Sequence, residues 1–131
     1  MTVHLDTDFL IHALGEAGAE RRRLFELAES DEVIEMSAVA WYEFSRGPRT
    51  PEQLATGRAF LAEDGVIPLS EHFAYAAGEV FRQLGSPRRR AADIAIGVTA
   101  ALRGATLLSS NVRDFAGIPD LVVEGHRQRA S

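Results

Sequence analysis

Four acidic residues stand in segments whose other residues predict buried strands or helices. Asp6 ends an apolar run at residues 3–6, and three more acids follow in separate segments: Glu43, Asp93 and Asp114. Carboxylates that share a cleft repel one another unless a cation neutralises them, and oxygen ligands favour a hard ion such as Mg²⁺ or Mn²⁺. Such an ion can polarise a phosphodiester and generate a hydroxide nucleophile. The four acids therefore predict metal-assisted phosphodiester hydrolysis if the fold brings them together.

Glu43 has two possible roles. It is the only acid in the apolar segment 37–47, which reads as a largely buried helix capped by Ser37. An unpaired buried carboxylate is expensive, so Glu43 should face a cleft or have a cation partner. Arg46 lies three residues later and is the candidate partner. Spacing alone leaves both roles open.

Asp93 and Asp114 also have structural explanations. Asp93 is a first-turn acid favoured by the helix dipole if its helix begins near Ala91, but a second-turn acid if Ser86 caps that helix. Asn111 and Asp114 have the spacing of a capping pair that opens a short helix. The position of Asp114 beyond a predicted strand is what retains it as a site residue.

Short apolar runs alternate with longer helical patterns, which is typical of a parallel sheet covered by helices. The predicted strands are residues 3–6, 33–37, 66–69, 105–110 and 121–124. Open sheets of this kind bind ligands beyond the carboxyl ends of their strands, which is where Asp6 lies. Asp8, two residues later, is predicted to cap the following helix. We expect a three-layer α/β/α fold with a central parallel sheet of about five strands.

Other local signals mark where helices begin and end. Residues 50–53 form a predicted capping box with proline at the first helical position. An apolar helical stripe ends at Gly85, and both Gly15 and Gly104 are predicted to stop helices. With no linker or internal repeat, residues 1–131 are expected to form one domain with a short polar tail near 125–131.

Composition excludes several classes of site and protein. The 131 residues contain no cysteine, which removes disulfides and thiolate sites, and every one of the 14 basic residues counted as Lys+Arg is arginine. A net charge of −5 argues against nonspecific coating of nucleic acid, which requires phosphate neutralisation. The four histidines lack metal-ligand spacing and are taken as structural or surface residues. No run is long enough to span a membrane, so we expect a cytoplasmic protein.

Three segments of the chain carry the four acids in order. "LDTDFLI" resembles the opening motif of PIN-domain ribonucleases of the VapC toxin type, and "SAVAWYEFSRG" resembles that family's helix with a single glutamate. "ADIAIGVTAALRGATLLSSNVRDFAGIPDL" resembles its third acidic segment and the strand and N-x-x-D-F signature that follow. The family usually has Asn where this chain has Asp8, and the run containing Ser110 also departs from it. The resemblance covers nearly the whole chain.

The resemblance implies site residues, a cofactor and partners. Asp6 and Asp93 match the principal metal-binding acids, Glu43 the acid of the second segment, and Asp114 a more variable fourth acid. Asn111 matches the polar residue that begins the last motif. The family likeness implies an Mg²⁺- or Mn²⁺-dependent endoribonuclease that cuts tRNA or ribosomal RNA. It also implies a homodimer and a VapB-type antitoxin whose C-terminal segment occupies the acidic cleft.

Basic and aromatic residues suggest where RNA could bind. Residues 88–90 are three consecutive arginines beside Asp93, whereas the arginines at 21–23 are interpreted as a solvated helix face. Trp41 and Tyr42 are available for base stacking, although core packing is the favoured role for both.

The sequence also allows two alternatives to a ribonuclease. The Asp6–Asp8 spacing also resembles the opening of haloacid-dehalogenase-type phosphohydrolases, in which the first aspartate is the nucleophile, but those enzymes generally need a lysine that this chain lacks. A degenerate PIN domain that binds RNA or a protein without cleaving is the non-enzymatic alternative.

Overall fold

A computed structural model describes residues 1–126 of the chain. Within this part, five strands alternate with six α-helices. The strands are β1 (Thr2–Leu5), β2 (Val33–Ser37), β3 (Val66–Ile67), β4 (Thr106–Ser109) and β5 (Val122–Gly125). The helices are α1 (Thr7–Gly15), α2 (Ala19–Ala28), α3 (Ala38–Ser45), α4 (Pro51–Phe60), α5 (Glu71–Gln83) and α6 (Ala91–Leu102), with 3₁₀ turns at Arg88–Arg90 and Val112–Phe115. None of these helices has the length and apolar character needed to cross a membrane.

The five strands form one parallel sheet in the order β3-β2-β1-β4-β5. This confirms the three-layer α/β/α fold with a central five-strand sheet. The chain adds β2 and β3 on one side of β1 and then returns to add β4 and β5 on the other. The carboxyl ends of β1 and β4 therefore flank the point where the strand order reverses, which is where open sheets of this kind bind ligands.

The core explains why the predicted strands are short and apolar. Leu5, Met36, Leu107 and Leu108 are fully buried in the sheet. Helix α6 is buried from Ile94 to Ala100, so most of it is enclosed by neighbouring elements. These contacts fix α6, and with it Asp93, relative to the sheet.

A buried cluster of charged side chains lies at the β1–β2 pair, next to the C-terminal end of α6. The Glu35 carboxylate accepts hydrogen bonds from Nε and Nη2 of Arg103, at 3.1 and 2.6 Å, and lies 2.8 Å from His4 Nε2. Burial alone would raise the pKa of Glu35, but the Arg103 and His4 hydrogen bonds outweigh it and hold the pKa below its ordinary value. The three side chains join β1, β2 and the end of α6.

Most of the predicted helix boundaries are confirmed. The Ser37 hydroxyl accepts from the amide of Ala40 at the start of α3, and the capping box that opens α4 is complete. Gly85 and Gly104 both have positive φ at helix ends, as predicted.

Other boundary predictions hold only in part. Gly15 ends α1 as predicted, but without the positive φ of Gly85 and Gly104, and Arg21 donates to carbonyls in the last turn of that helix. β3 contains only two residues because Pro68 has no amide hydrogen to continue the pairing. β5 extends through Gly125, and residues 127–131 of the predicted polar tail lie outside the described residues.

Candidate active site

The four predicted acids line one cleft at the carboxyl edge of the sheet. The cleft has a volume of about 310 Å³ and is lined by Asp6, Thr7, Asp8, Ile11, Glu43, Arg46, Asp93 and Asp114. Each predicted acid comes from a different part of the fold: the end of β1, the middle of α3, the first turn of α6, and the 3₁₀ turn after β4. The parallel sheet therefore gathers residues that lie far apart in the sequence.

Asp6 is the most buried of the acids in this cleft, at only 5% exposed. One carboxylate oxygen accepts a 2.7 Å hydrogen bond from the backbone amide of Thr7, and the other accepts a 2.9 Å bond from the Ser109 hydroxyl. Burial raises the pKa of Asp6 to about 7, and the nearby carboxylates of Asp8 and Asp93 add to the rise. Asp6 is thus held in place by two donors that do not neutralise its charge.

Asp6 also begins the first helix, so the prediction that Asp8 caps it is wrong. The Asp6 side chain is the N-cap of α1, and Asp8 lies one position inside the first turn. Asp8 is exposed and lines the cleft, where its charge raises the pKa of both Asp6 and Asp93. The two aspartates have different structural roles but share one electrostatic environment.

Both roles considered for Glu43 are present. Its Oε2 lies 3.9 Å from Nη2 of Arg46, and its Oε1 accepts a 3.0 Å hydrogen bond from the Thr7 hydroxyl. Thr7 also donates to the carbonyl of Ala40. A single hydroxyl at the start of α1 thereby joins that helix to α3 and orients Glu43 in the cleft.

Asp93 lies in the first turn of α6, which begins at Ala91 after the preceding 3₁₀ turn. This is the helix start near Ala91 considered from the sequence, and not the alternative start capped by Ser86. Burial raises the pKa of Asp93 to about 6, the charges of Asp114, Glu43 and Asp8 add to the rise, and Arg90 opposes it. The helix dipole alone does not account for an acid among three other carboxylates.

Asp114 is positioned by side-chain contacts rather than by a helix cap. Asn111 makes no side-chain capping bond, so the predicted capping pair is wrong; its Nδ2 instead donates to Asp114 Oδ2 at 2.8 Å. Nη2 of Arg90 donates to the backbone carbonyls of Asp114 and Ala116. These bonds join the turn that carries Asp114 to the start of α6.

Close packing against α6 holds the same turn from the other side. A Cβ atom at Gly97 would lie 2.6 Å from Cδ1 of Ile118 and 3.4 Å from Cδ1 of Phe115. Only glycine permits this approach without displacing its neighbours. Gly97 is one helical turn after Asp93, so the packing keeps Asp114 near that acid.

The donor chemistry of the cleft fits a hard divalent cation. All of its acidic side chains offer oxygen, and burial and mutual repulsion raise the pKa of two of them. Within residues 1–126, no three acidic or histidine side chains already surround a single point as a complete ligand set. The described chain thus supplies the charge and the atom types for a metal ion.

Sequence reasoning missed Thr7 and Ser109, which hold Glu43 and Asp6. Their positions in the sequence could have identified them: Ser109 lies near the end of the predicted strand that pairs with β1, and Thr7 follows Asp6 directly. Ser110, whose role was open, lies outside this set: its hydroxyl contacts His12 and donates to buried Glu20.

The basic and aromatic predictions are partly corrected. The arginines at 21–23 are not all solvated, because Arg21 binds the end of α1 and Arg23 pairs with Glu124. Trp41 packs against the core as expected, whereas Tyr42 is exposed and does not. Core packing therefore does not explain the presence of Tyr42 at this position.

Comparisons with known proteins agree with the fold. The family model described as PIN domain matches residues 3–121. The chain is 32% identical over 119 residues to ribonuclease VapC19 of Mycobacterium tuberculosis, covering 89% of this chain and 94% of the relative.

Solved structures have the same fold at lower sequence identity. VapBC2 of Rickettsia felis, solved bound to a promoter DNA fragment, has a TM-score of 0.73 and 22% identity, covering 95% of this chain and 98% of the other. VapBC-1 of nontypeable Haemophilus influenzae has a TM-score of 0.68 and 19% identity, covering 95% and 98%. At these identities the structural matches establish the fold.

Proposed function

This chain belongs to the PIN-domain family, and from that premise we propose that it is a metal-dependent endoribonuclease acting as the toxin of a type II toxin-antitoxin pair. The convergence of Asp6, Glu43, Asp93 and Asp114 in one cleft carries the proposal. These four acids come from separate elements, and among the described residues no hydrogen bond or ion pair joins one of them to another. The relative named ribonuclease VapC19 supports RNA as the substrate.

The four acids are proposed to hold Mg²⁺, with Mn²⁺ as a substitute. When bound, the ion would lower the pKa of a water molecule and stabilise negative charge on the phosphate. The protein's own part is to fix the donors: Ser109 holds Asp6, Thr7 holds Glu43, and Asn111 holds Asp114. Burial of Asp6 shields its own charge from screening by bulk water.

Partners follow from the same family. Several structural matches are toxin-antitoxin complexes, so we infer a VapB-type antitoxin, with an arginine that pairs with the cleft carboxylates. A homodimer, a tRNA or ribosomal RNA target and a cytoplasmic location belong to the same proposal. A short reading frame next to this gene, encoding a DNA-binding N-terminus, would support the antitoxin part independently of any nuclease assay.

A nuclease assay tests the catalytic proposal. Purified wild type, Asp6→Asn and Asp93→Asn are incubated with total RNA and single-stranded RNA, in Mg²⁺, Mn²⁺ or chelator. Both substitutions should reduce cleavage by roughly 100-fold or more, since general and metal-assisted catalysis commonly contribute that much. Circular dichroism should show an intact fold. Asp31→Asn, an exposed acid outside the cleft, is the matched control and should cleave normally.

Two results would contradict the proposal. Cleavage that persists in chelator would exclude the metal ion, and cleavage undiminished in both variants would exclude the acids. A wild-type protein that binds RNA and never cleaves it would indicate a degenerate PIN domain. A trapped aspartyl-phosphate on Asp6 would instead favour the phosphohydrolase alternative.

A further inference from the structure

Tyr42 is an exposed aromatic residue on a helix whose other aromatic side chains are directed inward. The residue is 60% exposed, whereas Phe44 is fully buried and Trp41 packs on the core. The Trp41 and Phe44 rings also contact one another, with centroids 5.5 Å apart. Core packing therefore explains Trp41 and Phe44 but leaves Tyr42 without a role in folding.

Arg46 connects this exposed ring to the cleft. Its guanidinium carbon lies 5.3 Å from the centroid of the Tyr42 ring, and its Nη2 lies 3.9 Å from Glu43 Oε2. The two contacts follow from helical spacing, since Tyr42 and Glu43 precede Arg46 by four and three residues. One guanidinium thus lies between an exposed aromatic ring and a cleft carboxylate.

Arg46 is also the one cation among the residues that line the cleft in the described part of the chain. Five carboxylates line the same space: Asp6, Asp8, Glu43, Asp93 and Asp114. An RNA phosphate that approaches this cleft meets repulsion, which only a bound metal ion and Arg46 oppose. The position of Arg46 at the opening makes it the protein's own contribution to phosphate binding.

The Arg46 side chain is free to change partners. It is 58% exposed, and its 3.9 Å distance from Glu43 is longer than a hydrogen-bonded ion pair. Exposed pairs of this kind contribute little to stability. Neither the fold nor Glu43 therefore holds the guanidinium in one place, and an incoming phosphate can compete for it.

We propose that Tyr42 and Arg46 form a nucleotide subsite at the mouth of the cleft. The Tyr42 ring stacks on an unpaired base, and the Arg46 guanidinium contacts the phosphate next to the bond that is cut. This inference rests on the proposed ribonuclease function and adds that the substrate must be single-stranded at this position, because a base within a duplex is already stacked.

The composition of the patch favours RNA over a protein partner. It combines one aromatic ring with one cation beside a catalytic cleft, and an aromatic ring paired with arginine is typical of single-strand binding surfaces. The neighbouring side chains of α3 that are large and apolar point into the core, so they do not extend the patch.

The RNA affinity of a protein variant that cannot cleave tests the subsite. Asp6→Asn protein is titrated into a fluorescein-labelled single-stranded RNA in Mg²⁺, and anisotropy is followed for added Tyr42→Ala, Tyr42→Phe or Arg46→Gln substitutions. Tyr42→Ala should weaken binding roughly 10-fold, as expected for one lost stacked base, while Tyr42→Phe keeps the affinity. Arg46→Gln should weaken binding and lower the salt slope by about one.

Matched controls are available elsewhere on the surface. Tyr75 is 66% exposed on α5 and does not line the cleft, so Tyr75→Ala should bind RNA normally. Arg22→Gln removes an exposed arginine of α2 and controls for charge. When the same labelled strand is annealed to its complement, the proteins with Tyr42 and with Tyr42→Ala should bind it equally, because the bases of a duplex are already stacked.

The outcomes separate this inference from the proposed function. If wild type cleaves RNA and the Tyr42 and Arg46 variants bind like their controls, the subsite is wrong and the nuclease stands. If wild type never cleaves but binding depends on both residues, the nuclease proposal is wrong, and Tyr42 and Arg46 bind single-stranded RNA without a role in cleavage. A change in oligomeric state in Tyr42→Ala, without a change in RNA affinity, would assign the patch to a protein interface and overturn the inference.

Discussion

The Ser109 hydroxyl donates a 2.9 Å hydrogen bond to Oδ2 of Asp6 across 103 residues of sequence. Ser109 ends β4 and Asp6 directly follows β1, and the register of these neighbouring strands pairs Leu5 with Leu108. Ser109 also accepts a hydrogen bond from the amide of Asn111, so it joins Asp6 to the segment that leads to Asp114. The sheet thus sets the spacing between two parts of the candidate metal site.

Removing this hydroxyl should impair the site more than the fold. Ser109→Ala deletes a hydrogen bond to a carboxylate, an interaction that contributes roughly 1.5–3 kcal/mol. We expect about a 10-fold or greater loss of cleavage and weaker Mn²⁺ binding by calorimetry. Ser109→Thr retains a hydroxyl and should recover much of both. Wild-type metal affinity in Ser109→Ala would show that this bond does not position Asp6.

The metal-free protein should lose stability as the pH rises. Asp6 has a pKa of about 7 in the folded protein and 3.8 as the ordinary value, so the folded state holds this proton over a range in which the unfolded chain has released it. Each unit of pKa difference corresponds to about 1.4 kcal/mol. The contribution of Asp6 to stability is therefore greatest below pH 3.8 and is lost as the pH rises through about 7. Asp93 acts in the same direction up to about 6.

Chemical denaturation at several pH values, in chelator, measures this effect. Asp6→Asn should flatten the decline in unfolding free energy between pH 4 and pH 7, and Asp31→Asn should not. Added Mg²⁺ should restore stability at pH 8 in wild type, because a ligand that binds only the folded state stabilises it. A wild-type protein equally stable across this range would contradict the raised pKa values.

Arg90 should control the position of Asp114. Its guanidinium donates to the carbonyls of Asp114 and Ala116, and a lysine ammonium keeps the charge without the planar fork that reaches both. Arg90→Gln and Arg90→Lys should both increase amide hydrogen exchange in residues 112–117 and lower cleavage several-fold.

Its neighbour supplies the control for that experiment. Arg89 is exposed in the same 3₁₀ turn, so Arg89→Gln should leave exchange unchanged. If Arg90→Lys behaves like wild type, charge near Asp93 is sufficient and the bonds to the turn are dispensable.

The buried Glu35 group should matter for stability and little for the cleft. Glu35→Ala leaves His4 buried and Arg103 without its carboxylate, and removing one partner of a buried pair typically costs about 3–5 kcal/mol. Because Arg103 is partly exposed, the loss should fall near the lower end of that range. Urea unfolding measures it, with exposed Glu29→Gln as the control.

The sequence alone predicted the fold class, the approximate strand positions and four acids that the structure brings to one cleft. Apolar runs of strand length alternating with helical stripes require a covered parallel sheet, and a charge within such a run must have a reason to be there. Those local rules identified Asp6, Glu43 and Asp93 without knowledge of their neighbours. They also located the caps of α3 and α4, which depend on residues three apart.

How the acids are held, and what surrounds them, follows from the tertiary structure. Whether Asp6 or Asp8 caps α1 depends on which side chain reaches the Thr7 amide, and the roles of Ser109 and Arg90 depend on strand register and on packing at Gly97. Both roles of Glu43 exist because its two oxygens face different elements, a cation on its own helix and a hydroxyl on another. Contacts between distant segments arise from the packing of whole elements, which residue spacing does not specify.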